Sequence, residues 1–182
     1  MTMRRLLLVP VVAYPYLILG LLFLPVVSRA ENADAIVNGY FIYVLPGAFA
    51  VCLFCAVIAA LLFGRSRRET ARSATQAVMV VKLAQIPAYL AVFFTGLILL
   101  MFLFVFSTPV ILLFWLSDLA AILQTGILGA GAAAAARREG KITSAERVVG
   151  TVLQFVFVAD VFAAVWFFIR ARVTLGRPTA PN

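Results

Sequence analysis

The chain has 182 residues, 65% hydrophobic and 12% charged, where a soluble domain carries about 45–50% and about 25%. It has 15 Lys and Arg against 7 Asp and Glu and no His, a formal charge of +8. This composition leaves no room for a soluble domain of ordinary size and predicts an all-α integral membrane protein, one transmembrane domain over residues 1–182.

The first apolar run, 6–27, has the roughly 20 residues that a hydrocarbon core of about 30 Å requires. Pro10, Pro15 and Pro25 interrupt it, so a kink is expected. Ser28-Arg29-Ala30 imitates a signal-peptide cleavage site, but the run is longer than the about 7–15 apolar residues of such peptides, so a retained helix is expected. A short polar loop with Glu31 and Asp34 leads to the second run, 40–63. This run contains Cys52 and Cys55, which share a helix face but supply half of a zinc set that no His can complete. They read as packing residues, with no metal and no cofactor.

The most basic stretch, with Arg65, Arg67, Arg68 and Arg72, separates the second run from the third, 78–106, which holds Pro87. Apolar sequence then continues to Ala136, too far for one crossing, so a tight hairpin at Ser107-Thr108-Pro109 and a fourth helix over 110–136 are expected. Gly126, Ala130 and Ala134 recur every fourth residue in it, and Gly129 and Ala133 repeat that spacing. Small residues so spaced let helix backbones approach closely, either within the chain or between subunits. Thr143 with Glu146 forms a capping box ahead of a fifth crossing over 148–169, which makes a bundle of five.

Each basic cluster flanks an apolar run, which points to topology and lipid contact and away from a nucleic-acid partner. A cytoplasmic N-terminus places Arg4, Arg5, Arg65, Arg67, Arg68, Arg72, Lys82, Arg137, Arg138, Lys141 and Arg147 inside, and Arg29, Arg170, Arg172 and Arg177 outside. Tyr40, Tyr43, Trp115 and Trp166 then fall near the outer interface, and the C-terminus lies outside a multi-pass protein of the cytoplasmic membrane. Arg65, Arg67, Arg68, Arg72 and a snorkelling Lys82 are candidate headgroup contacts.

Asp118 and Asp160 lie at matched depth on adjacent antiparallel crossings, about 13 Å below the outer boundary. Facing one another, they could share a proton. Gln124 and Gln154 lie six residues further in, each rotated about 120° from its Asp. These four form the candidate polar site: structural glue between helices, a proton or ion pathway, or the counterpart of a partner's polar group. Neither Asp stands in the Y-D or G-x-G-D context of intramembrane aspartyl proteases, and Glu69, Glu139 and Glu146 are too scattered for a CDP-alcohol phosphatidyltransferase. No enzyme is expected.

The stretch Lys82-Leu83-Ala84-Gln85-Ile86-Pro87-Ala88-Tyr89, with Glu139-Gly140-Lys141-Ile142, Gln154-Phe155 and Asp160, resembles a small family of uncharacterised multi-pass membrane proteins of Gram-positive bacteria. The resemblance covers 78–169 and implies that the third to fifth crossings form the common core, with no assigned activity. The expected role is a non-enzymatic accessory or structural subunit whose partners are the bilayer and another membrane protein or a second copy. The alternative is a small transporter or ion conduit using the intramembrane carboxylates.

Overall fold

In a bilayer every backbone N–H and C=O must find its partner within the protein, so apolar runs of this length fold as helices. The computed structural model describes residues 6–27, 39–66, 70–102, 108–156 and 159–173, and among them it is all helical. Helix α1 spans Leu8–Val27, α2 Leu45–Arg65, α3 Ala71–Phe102, α4 Thr108–Arg138, α5 Ser144–Leu153 and α6 Ala159–Val173. Three stretches, Ile42–Arg65, Ala71–Ile98 and Trp115–Arg138, are long and apolar enough to cross a membrane. The expected hairpin falls on residues only partly described: α3 ends at Phe102, and α4 begins at Thr108.

The prolines are accommodated by bonds from elsewhere. Pro15 has no N–H to give to Val11 O one turn back, and the side chain of Gln85 on α3 donates to that oxygen instead, at 2.7 Å. Pro46 near the start of α2 follows a π-helical turn, Tyr40–Val44, in which the Leu45 N–H reaches back to Tyr40 O. The wider turn relieves the clash of the Pro46 ring with the preceding carbonyls. Tyr40 Oη then donates to Leu17 O on α1 at 2.7 Å.

Small residues set the helix spacing. A Cβ on Gly131 would lie 2.6 Å from the backbone of Ala60, so α2 and α4 touch main chain to main chain. Leu8, Ala56, Phe63, Val78, Leu128 and Ala164 belong to one core, and Tyr14, Ile18, Cys52, Val92 and Ala121 to a second.

The single helix expected over 148–169 is two helices that fold back on one another. The capping box is present at the start of α5: Thr143 Oγ1 accepts from the Glu146 N–H at 3.2 Å, and the Glu146 carboxylate accepts from the Thr143 N–H at 2.7 Å. Helix α5 closes after 10 residues. Its last turn is tightened by bonds to the third residue back, from Gln154, Phe155 and Val156 to the carbonyls of Thr151, Val152 and Leu153. The chain then reverses, and Arg170 near the end of α6 pairs with Glu146 at the start of α5, N···O 2.6 Å. Gly150 leaves room for Phe167, which a Cβ there would strike. At 1.5 Å per residue α5 is about 15 Å long and α6 about 22 Å, each short of a core of about 30 Å.

This reversal overturns the expected placement of the chain's last helix. Its C-terminal end shares a core with the first turn of α3 and the last turn of α4: Ala71, Ala133, Ala136, Ile142, Phe167 and Ala171 pack together. Arg170 and Arg172 therefore stand at the same end of the bundle as Arg65, Arg72, Arg137 and Arg138. Trp166, with the Arg170 guanidinium 5.8 Å from its ring centroid, belongs to that basic end and not to the opposite one. Hydropathy is blind to chain direction, and a reversing hairpin scores like a straight crossing.

The basic end is closed by caps between elements. Arg138 donates to Gly64 O at 2.6 Å, reaching a free carbonyl at the end of α2. The Glu139 carboxylate accepts from the Ala71 N–H at the start of α3 and pairs with Lys141 at 2.8 Å.

Candidate functional site at the hairpin tip

The site begins with the buried face of α3, where Val78, Val81, Lys82, Gln85, Ala88 and Val92 recur at intervals of three and four. Lys82 lies about 16 Å along the helix from Ala71, too deep for a headgroup contact. Its side chain is 1% exposed, and its ammonium donates to Asp160 Oδ2 at 2.7 Å. The expectation of a snorkelling Lys82 is corrected here: with a carboxylate in reach, the ammonium has a partner inside the bundle and no need of phosphate.

Asp160 occupies the first turn of α6, where the helix dipole favours negative charge. Its N–H bonds Val156 O at 3.0 Å, which holds the carboxylate beside the turn that joins the two halves of the hairpin. Helices α3 and α6 run antiparallel in register: Ala71 and Ala171 share one core, Val78 and Ala164 another, and the ion pair lies beyond them.

Asp118 and Asp160 share no hydrogen bond. Asp160 is engaged by Lys82, while Asp118, half-buried on α4, has no hydrogen-bonding or ion-pair partner among the described residues. Tyr89 lies within electrostatic reach of both carboxylates, and it donates a hydrogen bond to Gln85 Oε1 at 3.3 Å. Gln124 and Gln154 are both fully buried, and none of their amide nitrogens and oxygens meets a hydrogen-bonding partner among the described residues. The Gln154 carboxamide packs against Gly129, where a Cβ would come within 2.5 Å of it, and the Phe155 ring packs against Gly126, where a Cβ would come within 2.6 Å.

The small residues of α4 are thus used within the chain. Gly126 and Gly129 receive the hairpin tip, and Ala133 joins the core with Phe167 and Ala171. Ala134 faces Gly64 on α2, and Ala130 is half-buried. Of the proposed headgroup contacts, Arg65 and Arg72 are exposed at the basic end, while Arg67 and Arg68 lie outside the described residues. Two roles were not foreseen: Gln85 as the donor that replaces the missing Pro15 N–H, and Lys82 as the partner of Asp160. Val11 and Gln85 stand 74 residues apart on different helices, which leaves no spacing by which sequence could join them.

Glu146 at the hairpin's entrance is held below the ordinary carboxylate value, first by the Thr143 N–H and then by the Arg170 guanidinium.

The described residues form a helical bundle with three helices long and apolar enough to cross a membrane, small-residue helix contacts and a buried ion pair. More narrowly, the chain belongs to the family of unknown function DUF6652, which matches residues 2–173 and so takes in every helix and the whole site. No curated protein matches the chain, and no solved structure does.

Proposed function

We propose that this is a multi-pass protein of a bacterial cytoplasmic membrane, in which α1 to α4 cross the bilayer and the α5–α6 hairpin enters and leaves from the cytoplasmic side. This replaces the five-crossing, C-terminus-out arrangement. The Glu146–Arg170 pair supports it by joining the hairpin's two outer ends. The positive-inside bias also favours it, because Arg170, Arg172 and Arg177 now join the cytoplasmic set and Arg29 alone remains outside.

Its role on this reading is that of a non-enzymatic accessory or structural subunit. One observation carries it: the charges deepest in the bundle neutralise each other, and so tie the hairpin to α3 without presenting a reactive group. Its partners are the bilayer and a second membrane protein, met through the exposed apolar faces of α2 and α3. Isolation of the tagged protein from native membranes in a mild detergent tests this. Recovery with a stoichiometric membrane partner is expected, and repeated recovery of the monomer alone would refute it.

A second reading, a small transporter or ion conduit, is favoured by Asp118, which has no partner among the described residues, and by Tyr89 in reach of both carboxylates. It requires flux in proteoliposomes that Asp118→Asn abolishes without loss of the fold. Absence of wild-type flux for protons and alkali cations removes it.

A further inference from the structure

The antiparallel register of α3 and α6 is fixed at three levels. Ala71 and Ala171 share one core, Val78 and Ala164 another, and Lys82 meets Asp160, so steps of seven and four residues along α3 are matched by the same steps back along α6. Ala71 and Ala171 are both fully buried, and each is followed by an arginine, Arg72 and Arg172. One residue turns an α-helix by about 100°, and viewed from one end two antiparallel helices turn in opposite senses. Starting from side chains that face each other, the next residue on each helix therefore swings to the same side. Arg72 and Arg172 leave the α3–α6 seam together on that side. Arg170, one residue before Ala171, leaves on the other, where it meets Glu146 of α5.

Both seam arginines are exposed, and neither has a carboxylate partner among the described residues. The Arg172 guanidinium lies 4.3 Å from the centroid of the Phe168 ring, one turn back on the same side of α6. Met79 follows Arg72 by seven residues and Val165 precedes Arg172 by seven, so they continue that side into the bundle. Met79, Val165 and Phe168 are each half-buried, as the walls of an open seam should be. Packed helix axes stand about 8–10 Å apart, a span that two arginine side chains cover between them.

We infer that this side of the seam binds one anionic phospholipid, its phosphodiester held by Arg72 and Arg172 and an acyl chain laid along Phe168, Met79 and Val165. Guanidinium groups match phosphate oxygens with paired N–H donors, and a net negative headgroup brings no cation to oppose them. Basic sites between helices at the cytoplasmic surface take such headgroups. The described carboxylates of this end are engaged elsewhere, Glu139 by Lys141 and the Ala71 N–H, and Glu146 by Arg170. The inference rests on the reading that the hairpin returns to the cytoplasmic surface, which labelling of Val173→Cys tests separately.

Native mass spectrometry of the full chain in a neutral detergent tests this, by titration with phosphatidylglycerol or with phosphatidylcholine of the same acyl chains. The parent is expected to take up one phosphatidylglycerol ahead of any others, and about 10–30-fold more tightly than Arg72→Gln/Arg172→Gln, the effect of two basic residues at a lipid surface. Phosphatidylcholine should show no such first step. Arg65→Gln/Arg147→Gln, which removes the same charge from other exposed positions at the basic end, should keep it. Equal losses in the two double variants would overturn the inference, because the lipid would then answer to net charge alone. So would displacement by inorganic phosphate at the concentration of the lipid, which would make the occupant a free anion. A missing first step in the parent, with Val173→Cys labelled from the same face as Lys141→Cys, would refute the site and leave the topology standing.

Discussion

The strongest test of the hairpin is a double-substitution cycle on Lys82 and Asp160. The side chains are 1% and 7% exposed and meet at 2.7 Å, so removing either leaves the other as an uncompensated charge in a dry interior. Breaking a buried pair in this way costs about 3–5 kcal/mol, whereas replacing both members with apolar side chains of similar volume is neutral or favourable. Lys82→Met and Asp160→Leu should therefore each lower stability by about 3–5 kcal/mol. At about 2–4 °C per kcal/mol for a chain of this size, each single variant should melt about 6–20 °C lower. The double variant Lys82→Met/Asp160→Leu should recover most of that loss. Reversible unfolding in mixed micelles, followed by circular dichroism, gives all four corners of the cycle. The reasoning fails if the single variants are as stable as the parent, or if the double variant loses the sum of the two.

Other consequences follow from particular contacts. Gln85→Leu should cost about 1–3 kcal/mol by orphaning Val11 O, and less in a Pro15→Ala background, where the helix supplies its own donor; thermal melts of the four proteins measure the coupling. Gly131→Ala pushes a Cβ into the backbone of Ala60 and should cost about 1–3 kcal/mol, while Gly47→Ala, with nothing within 4 Å, should change stability little. Glu146 is held low in the folded protein, so its contribution is fully present above the unfolded carboxylate value, about 4.3, and is lost as pH falls through the lower folded value. Hydrogen exchange of the α5 amides should rise over that acid window, and Glu146→Gln should remove the dependence. For topology, a thiol at Val173→Cys in a Cys52→Ala/Cys55→Ala background should react with an impermeant reagent only from the face that labels Lys141→Cys. Labelling from the opposite face would restore a complete fifth crossing.

Hydropathy made the apolar helices legible, and the sequence reading fell short where polar residues were doing something specific. The start of α3 was set too late because Arg72, Thr75 and Gln76 look like loop, yet Thr75 turns its hydroxyl back onto Ala71 O at 2.8 Å within the helix. The capping box was readable because its two residues lie three apart in the chain. The reversal after Leu153 was not, since the contacts that define it, Glu146 with Arg170 and Gly150 with Phe167, join residues far apart in sequence. The sequence places Asp160 within an apolar run at the depth of Asp118 on an assumed straight helix, and does not say whether the two face each other. Once the chain turns back, the nearest opposite charge is Lys82.

The one-sided distribution of charge also bears on how such a chain enters a bilayer. If α5 and α6 come and go from the basic end, the positive charges of Arg147, Arg170 and Arg172 never have to traverse the hydrocarbon core. The hairpin can then enter afterwards, against helices already in place. On that route Lys82, already seated in α3, would meet Asp160 as α6 enters, and the pair would form in the last step of assembly.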